Sequence, residues 1–227
     1  EKLNVPAYKI ASFECLHFPL IQKVIKTNKP ILISTGLCSL KEINELVRFL
    51  RKKKCKNFAL LKCTSSYPAK SFDLNLNTIA DMRKRFNCEI GYSDHSIGFS
   101  ASIGAIHNGA SFIEKHVCLS KKIGIDSKFS LPVNQLPKLK KDIYDAYLSR
   151  GEISYGPTKN ELSNLQFRRS IYASKDIKKG EKFTRENIKV IRPNLGLKPK
   201  YYNYIIGKKA KKDIKFAHPI KFKNVKK

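Results

Sequence analysis

Two stretches of the chain run a short apolar segment into an acid and then a histidine: Gly91-Tyr92-Ser93-Asp94-His95 and Ser111-Phe112-Ile113-Glu114-Lys115-His116. Between them Ala101 to Asn108 has a helical pattern with small residues, so the unit is strand, helix, strand, and a right-handed crossover makes the strands parallel. His95 and His116 then face one mouth. Paired imidazoles with oxygen ligands nearby suit a divalent transition metal that keeps coordination positions open for a substrate. A histidine at a strand end also serves as hydrogen-bonded structure, and the residues alone leave both roles open. His17, His107 and His218 have no such context and receive no role.

The elements that must position this pair recur along the first two-thirds of the chain. Ala7 to Ser12, Pro30 to Ser34, Phe58 to Cys63, Glu89 to Ser93 and Ser111 to His116 read as strands. Helices are expected at Pro19 to Thr27, Lys41 to Lys53, Asn77 to Phe86, from Ala101, and at Val133 to Ser149. In the second of these Ile43, Leu46, Val47 and Leu50 share one face, and Ser39 with Glu42 forms a capping box. Ile31-Leu32-Ile33 and Phe58-Ala59-Leu60-Leu61 are apolar throughout, as in strands covered on both faces, so a parallel sheet wrapped by helices is expected. Each strand ends in a polar cluster, the place where active sites collect in an eight-stranded β/α barrel. Five βα units can be counted, so a closed barrel needs about three more.

Near residue 150 the pattern changes. Residues 1–150 read as the barrel part, 151–167 as a linker with a polar helix from Lys159 to Gln166, and 168–227 as a small, mostly β module. That module shows a strand at Ser170 to Ala173, a turn at Lys178 to Glu181, a short helix capped by Thr184, a strand at Ile188 to Ile191 and further short strands within Lys208 to Pro219.

At 227 residues the chain can bury a real core, and no apolar run approaches the length of a membrane span. Its net charge of +28 raises the thought of a polyanion. The lysines, however, are spread over the chain without a zinc-finger, basic-zipper or stacking motif, so solvated faces are expected, with no nucleic-acid or membrane partner. Six cysteines without paired spacing, several inside apolar runs, point to reduced thiols in a cytoplasm. Cys63 and Cys118 read as small buried hydrophobes.

The strand-end series Lys9-Ile10-Ala11-Ser12-Phe13-Glu14, Ser34-Thr35-Gly36, Lys62-Cys63-Thr64-Ser65-Ser66-Tyr67-Pro68, Tyr92-Ser93-Asp94-His95 and Glu114-Lys115-His116 closely resembles the sialic acid synthase family. Gln166-Phe167-Arg168-Arg169-Ser170-Ile171-Tyr172 and Ile191-Arg192-Pro193-Asn194-Leu195-Gly196-Leu197 are similar to that family's antifreeze-protein-like (SAF) domain, most of all in its pseudaminic acid synthase branch. The resemblance covers nearly the whole chain and implies a (β/α)8 barrel, here with about five C-terminal units, followed by the SAF domain.

It also implies a reaction: phosphoenolpyruvate condenses with an open-chain acetamido sugar to a nine-carbon 2-keto acid, with carbon–oxygen cleavage and phosphate release. A divalent metal, manganese with magnesium or cobalt as substitutes, is implied on His95 and His116. Lys9, Ser12, Ser65, Tyr67 and Ser93 are implied to bind phosphate and carboxylate, and Glu14 and Glu114 to orient hydroxyls or handle a proton. Asp94 and Asp126 are implied to orient the metal ligands or bind the sugar, and Arg192 to reach a substrate across a domain-swapped homodimer.

Two departures stand out. Ser65 takes a position where N-acetylneuraminate synthases often have Asn. The family's first βα units are also missing, with an early glutamate and a phosphate-binding lysine, so the chain is expected to be a fragment of a longer protein. Besides pseudaminic acid synthesis, N-acetylneuraminate or legionaminate synthesis and a non-catalytic sugar-binding remnant are the alternatives.

Overall fold

A computed structural model describes residues 3–122 and 124–226. The chain divides into two units, one running to Glu152 and the other starting at Ile153.

The first unit is built on five strands, β1 (Tyr8–Ile10), β2 (Ile31–Ser34), β3 (Phe58–Cys63), β4 (Glu89–Asp94) and β5 (Ile113–Lys115), all parallel and in the spatial order of the sequence. Sequential order means that every crossover steps to the next neighbour in the same direction, which curls a sheet towards a β/α barrel rather than opening it from a central switch point. The fold class expected from the sequence is borne out. The connecting helices are α1 (Phe18–Ile25), α2 (Leu40–Lys52), α3 (Asn77–Phe86) and α4 (Ser100–His107), with α5 (Leu136–Ser149) following β5.

Strands β2 to β4 are nearly all buried. Ile31, Ile33, Leu60 and Ile90 pack with Leu46 and Leu50 of α2 and Ile79 of α3 in one core, each fully buried, worth roughly 1.5–3 kcal/mol per side chain relative to exposure. Ser39 accepts from the Glu42 N–H while Glu42 accepts from the Ser39 N–H at 2.7 Å, so the expected capping box starts α2, and Arg51 and Lys52 lie at its negative end. Asn87 ends α3 in the left-handed region, at φ 43°. Gly91 in the middle of β4 is required by close approach, since a Cβ there would stand 2.4 Å from the Phe112 ring.

Strand ends are shorter than the polar clusters suggest. Ala11 leads into a 3-10 turn at Ser12–Glu14, and His116 separates β5 from β6 (Val117–Cys118), which pairs with β7 (Leu131–Pro132). Val133–Gln135 forms a 3-10 turn ahead of α5, where the sequence pattern had the helix already begun.

In the second unit β8 (Ser170–Ala173) pairs antiparallel with β9 (Ile188–Ile191) over a core of Ile171, Phe183, Ile188, Ile205, Ala210 and Ile220. The polar helix expected from Lys159 is a 3-10 helix, Lys159–Phe167, held by a Thr158–Glu161 capping box. No helix follows Thr184: its N–H donates to Asn187 Oδ1 at 2.8 Å and its Oγ1 accepts from the Glu186 N–H at 3.3 Å, closing one turn before β9 starts. The strands expected within Lys208 to Pro219 are single bridges, such as Ile177 with Ile214 and Lys182 with Lys209.

Candidate active site

At the carboxyl ends of β1 to β5 lies a cavity of about 420 Å³, lined by Lys9, Ala11, Ser12, Phe13, Ser34, Cys63, Tyr67, Ser93, His95, Glu114, Lys115 and His116. Because the strands are parallel, consecutive units deliver residues from distant parts of the sequence to this rim.

His95 and His116 meet there with ring centroids 5.2 Å apart, edge to face. His95 Nδ1 lies 2.9 Å from the Thr64 carbonyl oxygen, which can only accept, so Nδ1 carries a proton, and in the neutral form of the ring Nε2 keeps its lone pair. His116 Nδ1 faces Asp126 Oδ2 at 3.5 Å. This pattern, one ring nitrogen steadied by an oxygen and the other free, is how metal-binding histidines are commonly oriented. Burial drives the His95 pKa down, but hydrogen bonds to Cys63 and the Thr64 carbonyl outweigh it and the net shift is upward. Burial, together with the charge of His95, pulls His116 down against Asp126 and Glu114.

An aromatic cage surrounds the pair. The Tyr67 ring stacks at 4.2 Å from His95, and Phe129 lies 5.0 Å from His116 and 5.3 Å from Tyr67. On the neighbouring wall Lys9 Nζ stands 3.4 Å from Glu114 Oε2, both half-exposed, so an anionic ligand entering here competes for a paired ammonium. Ser12 Oγ accepts from the Gly36 N–H at 3.0 Å. Ser34 Oγ is buried with no partner among the described residues, a hydroxyl free to donate into the cavity it lines. Ser93 is buried on the same wall.

Below the rim sits a closed polar layer. Asp94 Oδ2 accepts from Lys115 Nζ at 2.8 Å and Ser102 Oγ at 2.6 Å, and Asp94 Oδ1 from the Ser96 N–H at 2.8 Å and Ser96 Oγ at 2.7 Å. Asp94 is 1% exposed and lines no part of the cavity. Its acceptor capacity is spent on Lys115, Ser96 and Ser102, which leaves none for a substrate.

The remaining expected residues are distributed unevenly. Ser65 Oγ lies 3.8 Å from Cys63 Sγ, next to Gly36. Glu14 closes the 3-10 turn after β1 and, like Asp126 on its own 3-10 turn, is outside the lining. Arg192 is exposed just after β9 in the second unit. Sequence reasoning missed Ser34, Lys115, Phe129 and the environment of Cys63. Burial raises the Cys63 thiol, but bonds from His95, Ser12 and Ser65 bring it down to about 7. The signal available was position: each of Ser34, Cys63 and Lys115 sits at a strand end already marked as polar.

Two imidazoles would supply a metal with two nitrogen ligands and leave open positions. Among the described residues no third His, Cys, Asp or Glu joins them in a metal-holding cluster. Such a donor set fits a catalytic ion completed by water and substrate oxygen rather than a closed structural site.

A sequential parallel β/α sheet with a polar cavity at its carboxyl rim, followed by a small β unit that matches the SAF domain, defines the class: a β/α-barrel unit with an appended SAF domain. The chain belongs to the NeuB family, which residues 1–155 match, and residues 168–226 match the SAF domain. It is 43% identical to a pseudaminic acid synthase of Campylobacter jejuni over 95% of this chain and 63% of that protein. It is 40% identical to a pseudaminic acid synthase of Helicobacter pylori over 97% of this chain and 65% of the relative. The crystal structure of spore coat polysaccharide biosynthesis protein SpsE from Bacillus subtilis matches with a TM-score of 0.61 at 29% identity, over 97% of this chain and 68% of that one. The chain thus spans under two-thirds of the length of both synthases.

Proposed function

We propose that the protein this chain represents condenses phosphoenolpyruvate with an open-chain 2,4-diacetamido-2,4,6-trideoxy-hexose to make pseudaminic acid, releasing phosphate. The observation that carries the reading is the coincidence of the His95–His116 cavity with 43% identity to a pseudaminic acid synthase across 95% of the chain.

The reaction makes a carbon–carbon bond between the enol carbon of phosphoenolpyruvate and the sugar aldehyde. Water then adds to the electron-poor carbon that carries the phosphate, and the carbon–oxygen bond to phosphate breaks. A divalent metal on His95 and His116, manganese in this proposal, would supply Lewis-acid polarisation at that end of the cavity. Lys9 with the hydroxyls of Ser12, Ser34 and Ser93 binds the phosphate and carboxylate, where charge-assisted hydrogen bonds are strongest. Ser65, beside Gly36, extends this wall. Glu114, 3.4 Å from the Lys9 ammonium, is the carboxylate that takes the proton of the attacking water and returns it to the alkoxide left on the former aldehyde oxygen. Tyr67 and Phe129 keep water from the imidazoles and hold their planes. Asp94 braces His95, and Asp126 orients His116. Glu14 and Arg192 act on the sugar, the latter in a homodimer. A cytoplasmic location belongs to the same proposal; among the described residues no helix is long and apolar enough to cross a membrane.

A sugar panel tests the substrate. With phosphoenolpyruvate and manganese, a chain extended to the relatives' length is expected to yield a nine-carbon keto acid from the 2,4-diacetamido sugar in preference to N-acetylmannosamine or the legionaminic precursor. Preference for either competitor, read by mass spectrometry, would move the assignment within the family.

A further inference from the structure

Cys15 follows the turn after β1, and Cys38 lies between β2 and the Ser39 cap of α2. Ile10 and Ile33 are register partners in β1 and β2, so the two segments leave the sheet side by side. Their sulfurs stand 2.7 Å apart. Two thiolates sharing a tetrahedral zinc at ~2.3 Å each would stand ~3.8 Å apart, and a disulfide is ~2.05 Å. The contact is too close for a shared metal and a small side-chain rotation away from a bond. Among the described residues no other thiol touches a second sulfur.

We propose that Cys15 and Cys38 form a redox modification site, a dithiol that closes to a disulfide under peroxide and reopens with a thiol reductant. Cys15 is 2% exposed, while Cys38 is half-buried beside Leu37, which is 73% exposed, so the oxidant approaches from the Cys38 side. The hydrogen bond between the two sulfurs eases the loss of one thiol proton. The thiolate so formed attacks a peroxide oxygen, the O–O bond breaks, and the departing hydroxide takes the proton of the second thiol. The second thiolate then attacks the sulfenic sulfur of the first, the S–O bond breaks, and the leaving hydroxide takes up the proton first lost. Two thiols and one hydrogen peroxide become one disulfide and two waters.

The bond would add a covalent tie beside an existing one. Ser12 Oγ already accepts from the Gly36 N–H at 3.0 Å, and Ala11, Ser12 and Phe13 form one wall of the cavity. Oxidation would fix that wall to the loop after β2, whatever chemistry the cavity performs.

The test is a peroxide titration of the intact chain, followed by alkylation, digestion and peptide mapping. The expected result is a single cross-linked pair, Cys15 with Cys38, lost on adding dithiothreitol and absent in Cys38→Ser, together with a reductant-reversible rise in melting midpoint. Of six cysteines the two joined leave four to alkylate. Full alkylation of Cys15 and Cys38 while other thiols oxidise, Cys15 bonded to a different cysteine, or sulfinic acid at Cys15 without a cross-link would each overturn the proposal. Because the map is read on the unsubstituted chain, it does not depend on any variant folding.

Discussion

Lys115 Nζ donates to Asp94 Oδ2 at 2.8 Å in a pair whose side chains are 5% and 0% exposed, and each member precedes one of the two cavity histidines in the chain. Taking both charges out of water is costly, and the pair holds only because Ser96 and Ser102 satisfy the remaining acceptor sites. Lys115→Met leaves Asp94 buried and uncompensated and is expected to cost ~3–5 kcal/mol in urea unfolding. The double variant Asp94→Asn with Lys115→Met should recover part of that loss. Strict additivity of the two single substitutions would show that the pair is not coupled.

Tyr67 packs its ring on His95 at 4.2 Å while 46% exposed. Tyr67→Phe keeps the stack, so manganese affinity measured by titration should change little. Tyr67→Ala frees the imidazole to rotate and should weaken binding at least ~10-fold, the lower end for groups that orient a ligand. Equal affinity in both variants would remove the ring from any orienting part.

Gly36 is where two groups of the cavity wall, Ser12 and Cys63, converge with Ser65. A Cβ there would stand 2.4 Å from Ser65 Oγ, 2.8 Å from Ser12 Oγ and 3.2 Å from Cys63 Sγ. Gly36→Ala is therefore expected to cost ~1–3 kcal/mol in stability through overpacking and to lower turnover by displacing Ser12 and Ser65. A variant with unchanged melting and kinetics would mean that this wall yields freely.

The capping box of α2 gives a pH test. Hydrogen bonds from the Ser39 side chain and backbone hold the Glu42 carboxyl below its ordinary range. A folded-state pKa below the unfolded one stabilises fully above the ordinary glutamate value, about 4.3, and that contribution is lost as pH falls through the folded pKa. Ser39→Ala should cost ~1 kcal/mol at neutral pH. The gap to the unsubstituted protein should narrow in acid, as melting at several pH values would read.

The barrel units were legible because their signals are local and strong. Phe58–Cys63 opens on an uninterrupted apolar run to Leu61 and leads into polar residues, and Asn77–Phe86 buries Ile79, Met82 and Phe86 at helical spacing; both elements have the bounds that the pattern predicts. The convergence of His95 and His116 followed from the repeated acid-then-histidine ending of two adjacent strands. What stayed hidden depends on tertiary contacts. Lys115 is one of 46 basic residues and reads like a surface lysine until Asp94 is seen buried beside it. Phe129 lies in an irregular segment with no period to place it, yet packs on His116. Thr184 has the composition of a helix cap, but Asn187 accepts its N–H and β9 starts at once, so the local preference closes a turn instead.

The central claim is that the His95–His116 cavity serves a phosphoenolpyruvate-dependent condensation. It is tested most directly by phosphate release from phosphoenolpyruvate with manganese and the 2,4-diacetamido sugar, in a chain extended to the relatives' length, beside its His95→Ala and His116→Ala forms. Release that requires sugar and metal together, and is abolished in both folded variants, is the predicted result. Near-normal release by either histidine variant, or none from the folded, extended chain with any of the three sugars, would contradict it.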